Sequence, residues 1–398
     1  KYEKKIDYIL NHFSKVPTHK MKPLIRYVMR MSVYQILFLD KIPNSAICNE
    51  AVKIVKKRKM GNLSGFVNGV LRNIIRNYNA VTYPDPQLRP TEYLSIVYSF
   101  PEWIIQMWLE QYPYSFVEKL CKATNQAPNI SIRVNQLLTS KADLETELKK
   151  DGIDIEQGSF VEGALRIRGG AAISKIPSFQ KGHFTVQDES SMLASYILDP
   201  KPGEHIFDVC GAPGGKTTHI AELINNEGRV LSGDIHEHKL SLIEETAHRM
   251  QHRSVQVVLQ DAMKENKDYI GKFDRILIDA PCSGLGIIRK KPDIRWKKEY
   301  NDIQELVAIQ KQIIKTCSKY LKPNGIMVYS TCTISTKENE EIVDWILHNL
   351  DFELENINPY LPTCLHNENT AKGYIQIFPS TGDTDGFFIS RLRKRGSL

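Results

Sequence analysis

Two cysteines sit in contexts suited to covalent chemistry. Cys282 lies in Asp279-Ala280-Pro281-Cys282-Ser283-Gly284 and Cys332 in Ser330-Thr331-Cys332-Thr333. Each follows an apolar, strand-like run, at 275–278 and 326–329. In an open α/β sheet the carboxyl ends of the strands form the ligand crevice, and a thiol there is a strong nucleophile once ionised. Free cysteine is also among the most buried residue types; against two inert core thiols stands the polar, turn-rich sequence around both. No CxxC pair or clustered His/Cys spacing points to a disulfide or a metal, and no metal is expected.

A second constellation surrounds the loop Asp208-Val209-Cys210-Gly211-Ala212-Pro213-Gly214-Gly215-Lys216-Thr217, which joins a strand to a helix. Glycines let backbone amides approach a ligand, and a helix N-terminus favours anionic groups. Gly215-Lys216-Thr217 resembles the end of a P-loop, with Asp279 as its acidic strand. That spacing, however, puts Cys210 where the first glycine belongs, and Pro213 removes one amide from a phosphate cradle. S-adenosylmethionine, which has no phosphates, asks instead for acids at successive strand ends. Asp234 ends the second strand, where a carboxylate accepts both ribose hydroxyls; Asp261 follows the third and suits the adenine edge, and Asp279 ends the fourth. His236 and His238 read as surface residues.

With a methyl donor beside two thiols, the cysteines acquire a candidate reaction. Cytosine C5 is a poor nucleophile until a thiolate adds at C6 and pushes electron density onto C5. After methylation the C5 proton leaves and the thiolate is eliminated, which a second thiol or a base assists.

The elements that must position these groups follow from periodicity. From about residue 191 the chain alternates strand, loop and helix. Strands are expected at 206–209, 229–232, 255–259, 275–278, 325–329, 374–378 and 387–391, and helices at 215–226, 237–250, 302–320 and 335–349. Repeated βα units imply a doubly wound, mostly parallel seven-stranded sheet, with the last two strands forming an antiparallel hairpin. Before it, 91–190 reads as a helical linker (94–125, with exposed Trp103 and Trp108) plus a small α+β insert, whose Arg133 and Asn135 either touch RNA or lie on the surface. Residues 1–80 read as an all-α domain. There Asn44-Ser45 offers an N-cap and Gly61 a C-cap, around a helix ending in Lys56, Lys57, Arg58 and Lys59.

The formal net charge of the 398 residues is +7, yet residues 1–90 carry 17 Lys and Arg against 5 Asp and Glu, an excess of +12. A basic front on a mildly acidic remainder suits a polyanion such as RNA. The 41% hydrophobic and 25% charged content is that of a soluble chain. No apolar stretch approaches the roughly 18–20 residues of a membrane span, so no membrane is expected. Seven scattered cysteines and no visible signal peptide suggest the cytoplasm.

The chain resembles the RNA (cytosine-C5) methyltransferases, and most closely the RsmB (Sun/Fmu) type that modifies small-subunit ribosomal RNA. The resemblance rests on Val186-Gln187-Asp188-Glu189-Ser190-Ser191, on 208–217, on DAPCSGLGIIRKKPDIRW at 279–296, on YSTCTISTKENE at 329–340 and on Asp385-Gly386-Phe387-Phe388. It implies a Rossmann-like class I methyltransferase domain at 191–398. Segment 32–78, with Asn49-Glu50-Ala51-Val52 and GFVNGVLR at 65–72, looks like the later part of a NusB-like RNA-binding domain, whose first helices would precede Lys1. By resemblance Cys332 is the nucleophile and Cys282 assists release. Cys210, Gly211, Ala212, Pro213, Gly214, Gly215, Lys216, Asp234, Asp261 and Asp279 match donor-binding positions, with Lys216 and Asp279 also candidates for the target base. The family's usual Ala-Ala-Pro-Gly-Gly-Lys begins with Gly211 here. The implied cofactor is S-adenosyl-L-methionine and the partner 16S ribosomal RNA, with no obligate protein partner. Against this stand a P-loop NTPase, a DNA methyltransferase using Cys282, and a non-enzymatic ribosome-assembly factor built on the basic helical domain.

Overall fold

The computed structural model describes residues 1–169 and 172–396. The chain forms two compact units, Lys1–Asn125 and Gln126–Leu398. The expected boundaries at 80/91 and 190/191 thus meet a structural division at 125/126. Helices at 90–124 pack with the first helix, where Lys4 donates its backbone N–H to Ser99 and its ammonium to Ser95 and Glu102.

The first unit is all helical, with helices Glu3–Phe13, Pro23–Phe38, Asn44–Lys57 and Ser64–Asn77 around one core, followed by Pro90–Tyr98, Glu102–Gln111 and Tyr114–Thr124. Local details differ from the sequence reading. Helix Asn44–Lys57 is capped by Pro43, whose fixed φ is preorganised for a helix start. It ends with Lys59 in the left-handed region (φ 59°) and the Met60 N–H returning to the Val55 carbonyl, so Lys59 takes the place expected of Gly61. On Pro23–Phe38 the buried face runs through Ile25, Val28, Met29 and Val33, while Tyr27, Met31 and Tyr34 are exposed. Trp108, expected on the surface, is fully buried against Phe100.

The second unit opens with a four-stranded antiparallel sheet in the order β2-β3-β1-β4, made of β1 (Ile130–Val134), β2 (Ile155–Gln157), β3 (Ala164–Ile167) and β4 (Phe184–Val186). The large sheet holds β5 (His205–Asp208), β6 (Arg229–Asp234), β7 (Val255–Leu259), β8 (Phe273–Asp279), β9 (Leu321–Thr331), β10 (Phe352–Leu354), β11 (Tyr374–Ile377) and β12 (Phe387–Lys394). Its order is β10-β12-β9-β8-β5-β6-β7, with β11 also paired to β12. β5 to β9 are parallel, and β12 is antiparallel to β9, β10 and β11. The sheet is the expected doubly wound one, seven positions wide. It has one strand more than expected, because β10 and β11 share one side of β12; three residues, Phe-Glu-Leu, are too few for a periodicity signal.

Alternation along the strands builds both layers. Ile206, Leu277, Val328 and Ile389 pack on helices Glu189–Leu198 and Gly215–Leu223, whereas Phe207, Ile276, Ile278, Tyr329 and Phe388 pack on Tyr300–Cys317 and Glu340–Asn349. Burying each such side chain contributes about 1.5–3 kcal/mol. Strand order reverses between β5 and β8, and the crevice outside their carboxyl ends is where an open α/β sheet binds ligands.

Candidate active site

Both thiols stand at this crevice. Cys332 directly follows β9, Cys282 follows β8 by three residues, and their sulfurs are 3.4 Å apart with no disulfide between them. Both are half-buried. The contact with Cys332, then burial, pushes the Cys282 thiol well above its ordinary value. Backbone bonds knit the surrounding loops: Gly286 N–H donates to the Cys332 carbonyl and Gly386 N–H to the Gly286 carbonyl. A side chain at Gly286 would meet the Gly386 carbonyl oxygen at 2.1 Å, so only glycine fits there.

Next to the thiols, Lys216 Nζ donates to Asp279 Oδ2 at 2.8 Å, and Ser330 Oγ donates to Asp279 Oδ1 at 2.9 Å. Burial alone would depress the Lys216 ammonium, but the Asp279 carboxylate outweighs it and raises the net value. This pairing ties Lys216 to β8. Gly214 takes φ 102° at the helix start. A Cβ on Gly211 would lie 2.0 Å from Ser232 Oγ, so the Gly211 departure goes with a hydroxyl filling that space. Beneath the loop, Thr217 Oγ1 donates to Asp208 Oδ2 at 2.6 Å, while buried Asp208 Oδ1 has no hydrogen-bond partner among the described residues. Burial pushes Asp208 up to about 7 and also holds the Cys210 thiol well above its usual value.

Two cavities meet here. One, of about 380 Å³, is lined by Asp234, Asp261, Gln260, Met263, Ile309 and Ile313 among others. Asp234 Oδ1 accepts the His236 N–H at 3.0 Å, with Lys239 at 3.7 Å, and Asp261 Oδ1 accepts the Met263 N–H at 3.0 Å. The other, of about 510 Å³, holds Cys332, Lys216, Gly211, Pro213, Gly215 and Phe387. Cys210, Ala212 and Asp279 line both. Of the donor-binding residues expected from sequence, Asp234 and Asp261 therefore face the first cavity, and Lys216 with Gly211 the second. Gly214 faces neither. His236 and His238 are exposed, His236 at the rim of the first cavity.

Sequence reasoning overlooked the wall opposite Lys216. Lys290 bridges Asp188 at 2.8 Å and Asp385 at 2.6 Å. Burial would raise Asp188, but the Lys290 ammonium holds it down, whereas burial beside the Asp188 charge pushes Asp385 up to about 6. Both acids lie in motif blocks quoted above, yet nothing in their spacing announces that they meet. Arg133 and Asn135 are a correction: both are buried, so neither touches RNA. Arg133 donates to the Gly215 carbonyl at 2.8 Å and to Gln187, and pairs with Glu222 at 3.3 Å. Asn135 holds the Gly182 and Met250 carbonyls, each at 3.0 Å.

Comparisons with known proteins agree with this geometry. Residues 195–393 match the family model for 16S rRNA methyltransferase RsmB/F, residues 1–76 the NusB family, and residues 100–174 the ferredoxin-like domain of RsmF/B-like methyltransferases. The chain is 40% identical over 394 residues to the probable ribosomal RNA small subunit methyltransferase B of Bacillus subtilis (strain 168), covering 98% of this chain and 87% of that one. It is 33% identical over 397 residues to ribosomal RNA small subunit methyltransferase B of Pasteurella multocida (strain Pm70), covering 98% and 84%. Among solved structures, that of PH0851 superposes with a TM-score of 0.81 at 28% identity, covering 98% of this chain and 88% of that one. That of NSun6 from Pyrococcus horikoshii with SFG gives 0.69 at 24% identity, covering 76% and 100%, and shares the fold. No helix among the described residues is long and apolar enough to cross a membrane. With a NusB-like region in front of an S-adenosylmethionine-dependent catalytic domain, the chain belongs to the RsmB/F family of 16S rRNA methyltransferases.

Proposed function

We propose that the protein methylates C5 of a cytosine in 16S ribosomal RNA through a covalent bond between Cys332 and C6. The observation that carries this reading is the meeting of two cavities at Asp279, Cys210 and Ala212, with Cys332 in one and the ribose-type acceptor Asp234 in the other.

The residues of the first cavity fit S-adenosylmethionine: Asp234 to accept the ribose hydroxyls, Asp261 at the adenine edge, and Met263, Ile309 and Ile313 as an apolar sleeve. When bound, the donor supplies an electrophilic methyl group. In the second cavity, Cys332 Sγ adds to C6 and the electron pair of the C5–C6 double bond moves to C5, which then takes the methyl group. Loss of the C5 proton and rupture of the Sγ–C6 bond restore the ring. Cys282, held as a thiol 3.4 Å from Cys332, is the group adjacent to that exit. Lys216 and Asp279 would orient the pyrimidine edge. The target must be single-stranded or extruded, because C6 is inaccessible within a stack.

We assign RNA docking to the basic 1–80 region, with 91–190 and 191–398 as the second and third parts, a division the three family spans support. We likewise propose the cytoplasm as the site of action. Bisulfite mapping of 16S rRNA with and without the protein tests the reaction. A single protected cytosine is expected, and methylation at another atom or base would overturn the reading.

A further inference from the structure

The residues immediately after the two cysteines converge on one carboxylate. Glu338, fully buried, accepts the Ser283 N–H on Oε1 at 2.8 Å and the Ser283 hydroxyl on Oε2 at 2.6 Å. Gln310 Nε2 donates to Oε1 at 3.3 Å while holding the Pro281 carbonyl at 2.9 Å. A serine hydroxyl carries one proton. With Ser283 giving its own to Glu338, Thr333 is the donor in the 2.6 Å contact between Thr333 Oγ1 and Ser283 Oγ, and it also lies 3.5 Å from Glu338 Oε2 as a weaker direct donor. A directed chain, Thr333 to Ser283 to Glu338, therefore links the Cys332 loop to the Cys282 loop one residue away from each sulfur. Tyr329, on β9, donates its hydroxyl to the Glu338 carbonyl at 2.6 Å and anchors the acid itself.

These partners are uncharged. Burial raises the Glu338 carboxyl above its ordinary value, an effect that its bonds from Ser283 and Gln310 offset only in part. A buried carboxylate is costly; here the Ser283 N–H, the Ser283 hydroxyl and the Gln310 amide offset that cost, and an apolar side chain would lose all three bonds and leave the two cysteine loops untied. Negative charge tied to the Ser283 backbone opposes a second negative charge on Cys282.

We propose that Glu338 is a positioning residue for the covalent step: by tying Ser283 to Thr333 it fixes the separation of the two sulfurs and assigns attack to Cys332, with Cys282 in reserve. This rests on the covalent reading above. Displacing a reacting group by about 1 Å costs roughly 10²-fold in rate, so the clamp is of kinetic importance even though Glu338 touches no reacting atom.

The test uses the full chain, S-adenosylmethionine and 16S rRNA carrying 5-fluorocytosine, whose C5 fluorine cannot leave as a proton and so traps the adduct for peptide mapping. Wild-type protein should link through Cys332; no adduct at all would refute the covalent reading itself, separately from the role of Glu338. Glu338→Gln should lower kcat roughly 10- to 100-fold with KM for RNA and donor nearly unchanged, and should shift part of the adduct to Cys282. Glu338→Asp, charged but one methylene short, should lose kcat and keep the adduct on Cys332. Ser283→Ala, a gentler break that keeps the acid, should lower the melting temperature somewhat, since it removes a buried bond, and should still lower kcat when assayed well below that melting temperature, with donor binding unchanged. If wild type forms the adduct while Glu338→Gln and Ser283→Ala keep normal kcat and linkage site, the proposal is overturned. Loss of kcat only in step with donor binding and melting temperature would overturn it equally, since that is the signature of a structural role.

Discussion

The sulfurs of Cys282 and Cys332 stand 3.4 Å apart at the ends of two neighbouring parallel strands, β8 and β9. At that separation both cannot ionise at once without strong repulsion, so the proposed reaction calls for one nucleophile and one neutral partner. If Cys332 attacks, Cys332→Ala should abolish methylation and leave no protein–RNA adduct. Cys282→Ala should let the adduct form and slow its resolution, so that a denaturant-resistant complex accumulates on gels. The double variant should show none. An adduct that persists in Cys332→Ala and vanishes on adding Cys282→Ala would reverse the roles.

Donor binding offers an independent check. Asp234 is the acid at the end of β6 and lines the cavity that also holds Asp261 and Gln260. S-adenosylmethionine should raise the melting temperature, and Asp234→Ala should weaken binding by about 1.5–3 kcal/mol, the worth of a hydrogen bond to a charged group. Isothermal titration measures it directly. Unchanged affinity in Asp234→Ala would move the ribose elsewhere.

What the sequence made legible has a physical pattern. Strands β5, β6, β8 and β9 were readable from the buried apolar residues at their centres, and the edge strand β7 from its Val and Leu content although none of its residues is buried; the end residues Asp234, Asp279 and Cys332 inherit positions from them. Loop identity was readable from Gly211 to Lys216 because backbone approach demands particular residue types. Contacts between segments distant in sequence were not. Nothing local tells that Lys290 bridges Asp188 and Asp385, or that Glu338 reaches back to Ser283. Arg133 failed for the opposite reason: alternation places it on a strand face, but only tertiary packing shows that this face is covered by the helix Gly215–Leu223.

That buried arginine is a lever on the donor loop. Arg133 comes from β1 of the small sheet, pairs with Glu222 at 3.3 Å and caps the Gly215 carbonyl. Both side chains are almost completely buried. Arg133→Met should therefore destabilise the protein by about 3–5 kcal/mol, because it leaves an uncompensated buried carboxylate. The double variant Arg133→Met with Glu222→Met should recover much of that loss in chemical denaturation, yet bind S-adenosylmethionine more weakly than wild type for want of the Gly215 contact. Additive losses in the double variant would show that the two residues do not act as a pair.

A titration follows from Asp208. In the fold burial holds its carboxyl up to about 7, whereas an unfolded aspartate titrates near 3.9. Between those values the native state binds the extra proton, so raising the pH favours the unfolded chain. The contribution is fully present below the unfolded value, is lost as pH climbs to about 7, and is flat beyond. Within the window its slope approaches about 1.4 kcal/mol per pH unit. Asp208→Asn removes the titration and keeps an oxygen for the Thr217 hydroxyl at the end of β5. Relative to wild type the variant should gain stability steadily from pH 5 to about pH 7 and hold that lead to pH 8, as measured by urea unfolding without donor. Parallel stability curves from pH 5 to 8 would show that Asp208 is already ionised in the fold and that its unpartnered Oδ1 is met in solution by a group that tolerates the charge.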